Sequence, residues 1–581
     1  MRTTGAILLA AVVLFPLTAN AIDVSGDQWG TWARENSPYN VVGEIRVPPE
    51  STLVIEPGVV VDFQGHYKFI VDSLATLLAV GIESDSIYFT TEDTATGSHG
   101  IRFLYADSNS QISYCRLEYG NAIGSGSDDH GGAIYCYKSN PTLNSNTITN
   151  NSAVDDGGGI YCYDSDPTIS NNTISDNSAS GYGGGICCRH SNPTINSNTI
   201  TSNSAAYFGG GIYCYDSDPT ISHNTIRSNS ASGGGGIYCF LYSNPTINSN
   251  TITSNFARDS GGGIYCALCS SKITDNTIRG NSANDGGGIH CYNSSPTINS
   301  NTIDGNWAYL GGGIYCWDSD DTISNNIISG NSAENSGGGI HCAQSSTTLS
   351  NNTMSGNSAC YGGGIYCLAS IPIITNTILW GDTAANGAEI YVQSGNPTVR
   401  YCDVQGGWEG VGNIDVDPRF RDPEAGDFHL MADYCGDPDN SPCIDVGHPD
   451  SLDALLDCFH GLGTDTADMG AYGGNNSGWP TGIDDDEDNI PVIPRQFLLY
   501  RNYPNPFNAT TVIDYQLPVS NRVKLEIYNI LGQEVATLVD EKQQAGYRSV
   551  IWDASDVSSG LYFYKLTAGE FREVKSMTLL K

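Results

Sequence analysis

The chain of 581 residues has few basic side chains, only 5 methionines and no long apolar segment beyond its N-terminus. It has 25 Lys and Arg against 63 Asp and Glu, for a net charge of −38. This charge argues against a nucleic-acid partner, because such binders need a basic surface to displace counterions. Helical periodicity is also scarce, whereas 68 Gly and 33 Tyr favour a turn-rich β architecture with aromatic side chains at its surface.

Residues 1–21 are predicted to be a secretory signal peptide. A basic tip precedes an apolar run from Ala6 to Leu17, and Ala19-Asn20-Ala21 provides small residues for cleavage. The run is too short to span a bilayer. We expect the mature chain to begin at Ile22, outside the cytoplasm.

A repeat occupies residues 131–405. Variants of Gly-Gly-Gly-Ile-Tyr-Cys return every 25 to 27 residues in segments rich in Gly, Asn, Ser and Thr. This period predicts one coil of a parallel β-helix per repeat, whereas a leucine-rich repeat would need leucines at fixed positions. Alternation along the strand directs Ile and Cys to one face and the aromatic residue between them to the other.

Two asparagine positions recur in nearly every repeat, and we interpret both as structural. Asparagine tolerates the left-handed conformation of sharp turns, and its amide can bond to identical amides above and below. The first column includes Asn172, Asn198, Asn224 and Asn250, and the second includes Asn177, Asn203 and Asn229.

The cysteine column, which includes Cys162, Cys188 and Cys214, is interpreted as a row of small buried apolar side chains. Stacked coils hold Cβ atoms ~4.8 Å apart, beyond the ~3.5–4.5 Å of a relaxed disulfide. Disulfides within the column remain the alternative, because the chain is secreted and has 18 cysteines. Outside the column, Cys435, Cys443 and Cys458 are the expected partners of any bridge.

Two neighbouring aromatic columns are the predicted glycan-binding surface. One column, beside the cysteines, contains Tyr161, Tyr213, Tyr238, Tyr265 and Tyr315, and the next outward column contains Tyr163, Tyr215, Tyr292 and Trp317. Along a rod they would form a flat platform for sugar rings, or they would stack on one another and stiffen the face.

No cofactor is predicted, and calcium is the open alternative. Turn carboxylates could supply oxygen ligands, although an acidic solvated turn explains them more simply: Asp164, Asp166, Asp216, Asp218, Asp318 and Asp320. The EF-hand pattern and the calcium-binding nonapeptide repeat are both missing.

No catalytic residue is predicted, although several charged side chains depart from the repeat. Arg279 and Asp304 fall in one column in successive coils, and a surface ion pair is the simplest explanation for them. The other departures are Arg189, His190, His223, Arg227, Arg258, Lys272 and Trp307.

The repeat resembles right-handed parallel β-helix proteins of the pectate-lyase-like fold. Its Gly-Gly-Gly-Ile phrases are also similar to those of bacterial polymorphic outer-membrane proteins. The resemblance implies irregular first coils at 22–130 and a closing segment at 406–480, where Asp468-Met469-Gly470-Ala471-Tyr472 lies. Solenoids need such caps at their open ends. The resemblance allows either a binding protein or a polysaccharide lyase or glycoside hydrolase.

The C-terminal part differs from the rest in charge and in pattern. An acidic linker is predicted at 481–495, and residues 496–581 alternate as in a small immunoglobulin-like β-sandwich. Tyr503-Pro504-Asn505-Pro506-Phe507-Asn508 and Gly560-Leu561-Tyr562-Phe563-Tyr564 closely resemble the C-terminal sorting domain of type IX secretion. The resemblance implies the outer-membrane secretion machinery as a partner.

Together these patterns predict an all-β protein, a right-handed parallel β-helix followed by a small β-sandwich. We expect it outside a Gram-negative-type bacterium or on its outer-membrane surface. The predicted role is non-catalytic binding or adhesion toward carbohydrate or cell surfaces. A polysaccharide lyase or glycoside hydrolase is the alternative.

Overall fold

The computed structural model describes residues 21–453, 458, 461–464, 466–474, 497–499, 502, 507–543, 546–555, 557–569 and 571–580. The predicted linker at 481–495 and all but Ala21 of the predicted signal peptide lie outside these residues. The chain divides into two compact units, Met1–Trp479 and Pro480–Lys581, which are described separately. No helix among the described residues is long and apolar enough to cross a membrane.

The first unit is a solenoid of short parallel strands, which confirms the predicted fold class. One coil contains Ile160–Tyr163 on face 1, Thr168–Ser170 on face 2, Thr173–Ser175 on face 3 and Ser178–Ala179 on face 4. Each strand pairs in register with its counterpart in the next coil, so Cys162 lies beside Cys188.

The strands of the four faces repeat along the rod. Face 1 contains Ile101–Leu104, Ile134–Tyr137, Ile160–Tyr163, Ile186–Arg189, Ile212–Tyr215, Ile237–Phe240, Ile264–Ala267, Ile289–Tyr292, Ile314–Trp317, Ile340–Ala343, Ile365–Leu368 and Ile390–Val392. Face 2 contains Gly30–Trp32, Thr52–Ile55, Thr76–Val80, Gln111–Ser113, Thr142–Asn144, Thr168–Ser170, Thr194–Asn196, Thr220–Ser222, Thr246–Asn248, Lys272–Thr274, Thr297–Asn299, Thr322–Ser324, Thr348–Ser350, Ile373–Thr375 and Thr398–Arg400.

Faces 3 and 4 complete each coil. Face 3 contains Cys115–Glu118, Thr147–Thr149, Thr173–Ser175, Thr199–Thr201, Thr225–Arg227, Thr251–Thr253, Thr277–Arg279, Thr302–Asp304, Ile327–Ser329, Thr353–Ser355, Ile378–Leu379 and Asp403–Val404. Face 4 contains Asn121–Ala122, Ser152–Ala153, Ser178–Ala179, Ser204–Ala205, Ser230–Gly233, Phe256–Ser260, Trp307–Leu310, Ser332–Ser336, Ser358–Tyr361 and Thr383–Asn386. Before them run Ile22–Asp27, Tyr39–Val47, Val60–Phe63, Phe69–Val71 and Ile87–Thr90. Short 3-10 helices lie at Arg34–Asn36, Gly126–Asp129, Pro423–Ala425 and Asp433–Cys435.

The core of the rod consists of continuous apolar columns. In one coil Ile160, Cys162, Ile169 and Ile174 are all 0% exposed, so burial of these side chains provides most of the driving force for stacking. The column cysteines are free thiols. Among the described residues a disulfide joins Cys435 and Cys458 in the closing segment, and Cys443 is a buried free thiol.

The two asparagine columns form buried hydrogen-bond ladders. The Nδ2 of Asn172 donates to Oδ1 of Asn198 at 3.0 Å and to the carbonyl of Leu143 at 2.9 Å, while its backbone N–H donates to the same Oδ1 at 2.9 Å. Left-handed backbone occurs one residue earlier, at Asn171 with φ 57° and at Asp176 with φ 56°. The expectation that the column asparagines occupy left-handed turns is therefore wrong, because they are selected for their amide bonds.

The glycine triplets are required by the close approach of adjacent coils. Gly183 has φ +65°, which disfavours other residues. A Cβ on Gly184 would lie 2.4 Å from the carbonyl oxygen of Ser204 and 2.6 Å from that of Gly210. A side chain at this position would push the coils apart.

The closing segment folds back along the flank of the last coils as well as ending the rod. The Oδ1 of Asn413 accepts the backbone N–H of Cys402 at 3.0 Å, a bond of the same form as those in the asparagine ladder. Further back, Nδ2 of Asn325 donates to the carbonyls of Ala471 at 3.0 Å and Gly473 at 2.8 Å. A hairpin of Phe420–Asp422 and Asp427–Leu430 belongs to this segment.

The second unit is a small antiparallel β domain, as predicted. Its strands form a three-stranded and a four-stranded sheet. The strands are Leu498–Leu499, Thr510–Leu517, Asn521–Asn529, Glu534–Gln543, Gly546–Asp553, Gly560–Ala568 and Phe571–Leu579.

Candidate functional site

The aromatic column beside the cysteines is mostly buried. Tyr161, Tyr213 and Tyr315 are each 3% exposed, and Tyr238 is 5% exposed. Tyr265 is half-buried. The expectation that this column faces solvent is wrong, because side chains from the turns before the glycine triplets cover the rings. The covering pairs are His130 on Tyr161 at 4.5 Å, Tyr182 on Tyr213 at 4.8 Å and Phe208 on Tyr238 at 4.6 Å between ring centroids.

The outer aromatic column remains open to solvent. Tyr163 and Tyr215 are half-buried, while Tyr292 is 41% and Trp317 is 42% exposed. A chain of rings, here called the outer aromatic ridge, runs along face 1 through Tyr105, Tyr137, Tyr163, His190, Tyr215 and Phe240, with neighbouring centroids 5.1, 5.8, 5.5, 5.7 and 5.9 Å apart.

The rings of the outer aromatic ridge meet mainly edge to face. Tyr163 and His190 are inclined at 79°, and His190 and Tyr215 at 88°. This geometry differs from the flat platform expected from the sequence. It stiffens the face, while Tyr163 and Tyr215 stay partly exposed to solvent. Tyr292 and Trp317 form a separate pair at 6.3 Å.

Arg189 replaces an aromatic residue in the outer column and anchors it. Its guanidinium lies 2.9 Å from Oδ2 of Asp156 and 5.5 Å from the ring centroid of Tyr215. Burial raises the pKa of Asp156 to about 6, and the nearby Arg189 opposes that shift. The pair compensates a carboxylate whose side chain is only 1% exposed.

His130, Asp155 and Asp156 are the group of three potential metal ligands found among the residues that the structure describes. The Nδ1 of His130 lies 4.0 Å from Oδ2 of Asp155 and 3.9 Å from Oδ2 of Asp156. Asp156 is already paired with Arg189, so its charge is compensated without a cation. The repeat period is the signal for this cluster: His130 and Asp156 lie 26 residues apart, each directly before consecutive glycines, and so occupy equivalent positions in adjacent coils.

The six aspartates considered for calcium have backbone roles in the turns. The backbone N–H of Asp166 donates to Oδ1 of Asn140 at 2.7 Å, and Asp166 Oδ1 accepts the N–H of Asn192. Asp218 and Asp320 also accept an N–H from the next coil. Left-handed backbone occurs at the other three, with φ of 47°, 46° and 51° at Asp164, Asp216 and Asp318. None of the six belongs to the metal-ligand group found within the described chain.

A cleft of about 400 Å³ lies between face 3 and the closing hairpin. Arg279, Asp304 and Ser329 line the rod side, and Glu424 and Phe428 line the hairpin side. The ion pair expected from the sequence is present, with Nε of Arg279 2.9 Å from Oδ2 of Asp304. The hairpin side could not be anticipated, because the segment after residue 405 has no period that would predict where it folds.

The fold and its ladders define a parallel β-helix repeat protein. A family model described as right handed beta helix region matches residues 78–218 and 206–328. A second family model, the secretion system C-terminal sorting domain, matches residues 501–579. No curated protein and no solved structure matches the chain. By its fold the chain is therefore a parallel β-helix protein. It has a type IX sorting tail at residues 501–579, which indicates export to the cell surface or beyond.

Proposed function

We propose that the exported rod binds carbohydrate on cells or in their surroundings and that it has no catalytic role. The outer aromatic ridge is the observation that carries this proposal. Its rings are spaced 5.1–5.9 Å apart along face 1, and Tyr163 and Tyr215 expose part of each ring. Aromatic side chains with one apolar and one wet end suit the apolar faces and hydroxyls of sugars.

The charge of the protein narrows the ligand class. With a net charge of −38, the chain repels anionic polysaccharides unless a local basic surface compensates. Two basic side chains lie beside the ridge, and each has an acidic neighbour: Arg189 is paired with Asp156 at 2.9 Å, and Lys138, 5.4 Å from the ring centroid of Tyr137, has Asp164 at 4.0 Å. Neither therefore provides a free basic surface. Neutral glycans are therefore the ligands that the ridge would accept.

Retention of the full-length secreted protein on immobilised neutral glycans tests the proposal. We expect retention of the wild type on at least one glycan and its loss in the double variant Tyr163→Ala/Tyr215→Ala. Tyr309→Ala is a matched control, because Tyr309 is 41% exposed but lies on face 4. Absence of retention on every glycan would overturn the proposal.

An activity assay separates this role from that of a polysaccharide lyase or glycoside hydrolase. Under the proposal, incubation with acidic and neutral polysaccharides yields neither an unsaturated product nor new reducing ends. Release of either product by purified protein would favour the enzyme.

A further inference from the structure

We propose that the cleft between face 3 and the closing hairpin is a second saccharide site, which takes a short stretch of a neutral, hydroxyl-rich chain. This inference rests on the proposed carbohydrate-binding function and assigns part of that binding to a place distant from the outer aromatic ridge. At about 400 Å³ the cleft falls within the usual size range of ligand pockets.

On the rod side of the cleft, two charged residues occupy a repeat position that does not require charge for folding. In the column of Arg279 and Asp304, the adjacent coils carry the small hydroxyl residues Thr253 and Ser329, and a further charged side chain, Arg227, lies outside the cleft. An exposed ion pair contributes little to stability, and the side chain of Arg279 is 68% exposed. The pair is therefore better explained by something that it contacts than by the stability of the rod.

The cleft contains both hydrogen-bond donors and acceptors. The Nε of Arg279 contacts Asp304, and the guanidinium has further N–H groups that can donate hydrogen bonds to a ligand. The other carboxylate oxygen of Asp304 accepts the hydroxyl of Ser329 at 3.3 Å. Thr302 and Ser355 add hydroxyls to the same wall. A charged pair next to hydroxyls can bind vicinal sugar hydroxyls, which both donate and accept.

Apolar and rigid elements complete the cleft. Ile327 and Phe428 form part of its lining. They belong to one hydrophobic cluster and are 4% and 5% exposed. The hairpin turn is fixed by Asp422, which accepts the N–H of Ala425 at 3.2 Å, and by Gly426 with φ +83°. A preformed wall of this kind lowers the ordering cost of binding.

The charges of the cleft exclude other ligand classes. Asp304 and Glu424 would repel an anionic chain, because Arg279 is the single basic side chain of the lining. A purely apolar ligand would bury the ion pair without replacing its contacts with water, which is costly. A neutral ligand rich in hydroxyls meets neither penalty.

Titration calorimetry of the full chain with short neutral oligosaccharides, and with oligogalacturonate as an anionic comparison, tests the site. We expect Asp304→Asn and, independently, Glu424→Gln to weaken binding of a neutral oligosaccharide at least tenfold. Arg227→Gln is the matched control, because Arg227 is exposed in the same column as Arg279, two coils away from it. The control should bind like the wild type, and thermal midpoints should confirm that all variants fold.

The outcomes distinguish the two proposals. If both cleft variants bind like the wild type while Tyr163→Ala/Tyr215→Ala abolishes retention, the cleft site is refuted and the ridge stands. If the cleft variants lose binding and the tyrosine variant does not, the cleft is the site and the ridge proposal fails. Binding of no neutral saccharide refutes both, and tight binding of oligogalacturonate that depends on Asp304 refutes the ligand class.

Discussion

The Nδ2 of Asn250 donates to Oδ1 of Asn276 at 3.0 Å, and the backbone N–H of Asn250 donates to the same oxygen at 2.9 Å. Its own Oδ1 receives the equivalent pair from Asn224 at 2.9 and 3.0 Å. The asparagine of each coil therefore accepts two hydrogen bonds from the asparagine of the preceding coil. The buried amide thus has partners for both its oxygen and its nitrogen. A buried polar group is tolerated when all its bonds are made, and it is costly when one is missing.

The ladder can be tested with Asn250→Ala. The substitution removes the acceptor of two donors on Asn224 and the donor to the carbonyl of Ile221, all buried. We expect the free energy of unfolding to fall by about 3 kcal/mol in denaturant titration. The control is Asn248→Ala, because Asn248 is half-buried and outside the ladder. This variant should change the free energy of unfolding by less than about 1 kcal/mol. Equal effects of the two variants would refute the ladder.

The glycine triplet can be tested with Gly184→Ala. Its new Cβ would lie 2.4 Å from the Ser204 carbonyl oxygen, so the adjacent coils must separate. We expect the variant to be insoluble or to have a greatly lowered thermal midpoint. Gly305→Ala is the matched control, because Gly305 has φ +62° but nothing within 4 Å of the added atom. This variant should lose only about 1–2 kcal/mol of unfolding free energy, because alanine is strained in the left-handed backbone conformation.

The thiols should differ sharply in their reactivity. Fifteen of the free cysteines are buried and Cys360 is exposed. Burial raises the pKa of buried thiols such as Cys115, which reaches about 12, so they are protonated and inaccessible. Titration with an aromatic disulfide reagent should modify one thiol in the native protein and none in Cys360→Ser. Denaturation without reductant should expose the remaining thiols, and a small number after denaturation would indicate disulfides in the column.

Two buried carboxyl groups near the C-terminal end of the rod should make its stability depend on pH. Asp382 receives the Nδ2 of Asn357 at 2.9 Å and lies beside Glu389, and both carboxyls are buried. Burial and the nearby Asp382 raise the pKa of Glu389 to about 9, whereas an unfolded glutamate has a pKa of about 4.3. The folded protein therefore retains a proton that the unfolded chain releases. This contribution to stability is complete below about pH 4.3 and is lost as the pH rises toward 9.

The variant Glu389→Gln isolates this effect. Between pH 5 and 9 the unfolding free energy of the variant should fall less steeply with pH than that of the wild type, by up to about 1.4 kcal/mol per pH unit. Thermal midpoints measured across this pH range should show the same difference. Glu409→Gln is the control, because Glu409 is exposed, and it should follow the wild type. Parallel curves for all three proteins would show that Glu389 is ionised in the folded state.

The regular part of the rod could be predicted because its determinants recur. Cys162 and Asn172 each have counterparts one period away, and the structure places those counterparts in register. The burial of the aromatic column was missed because its cover changes in chemistry from coil to coil. The position before the glycine triplet holds Tyr182 and Phe208 in adjacent coils, 26 residues apart, but Asp156 in the coil before them. The cleft escaped prediction for a different reason.

Contacts of the closing segment join residues far apart in the chain. Asn325 bonds to Ala471, and no spacing rule connects two such positions. The hairpin side of the cleft, with Glu424 and Phe428, depends on that fold-back. Pattern reasoning located the ion pair of Arg279 and Asp304 but not the wall that makes it part of a cavity.

The asparagine ladders also bear on how this rod can evolve. Because the bonds from Asn172 to Asn198 have the same form as those from Asn198 to Asn224, removing or duplicating one whole coil rejoins equivalent partners. Loss of a single residue would instead shift every later donor away from its acceptor. Unequal recombination can therefore lengthen or shorten the rod in whole steps of ~4.8 Å, while intermediate lengths are selected against. The length of the rod is then a trait counted in coils.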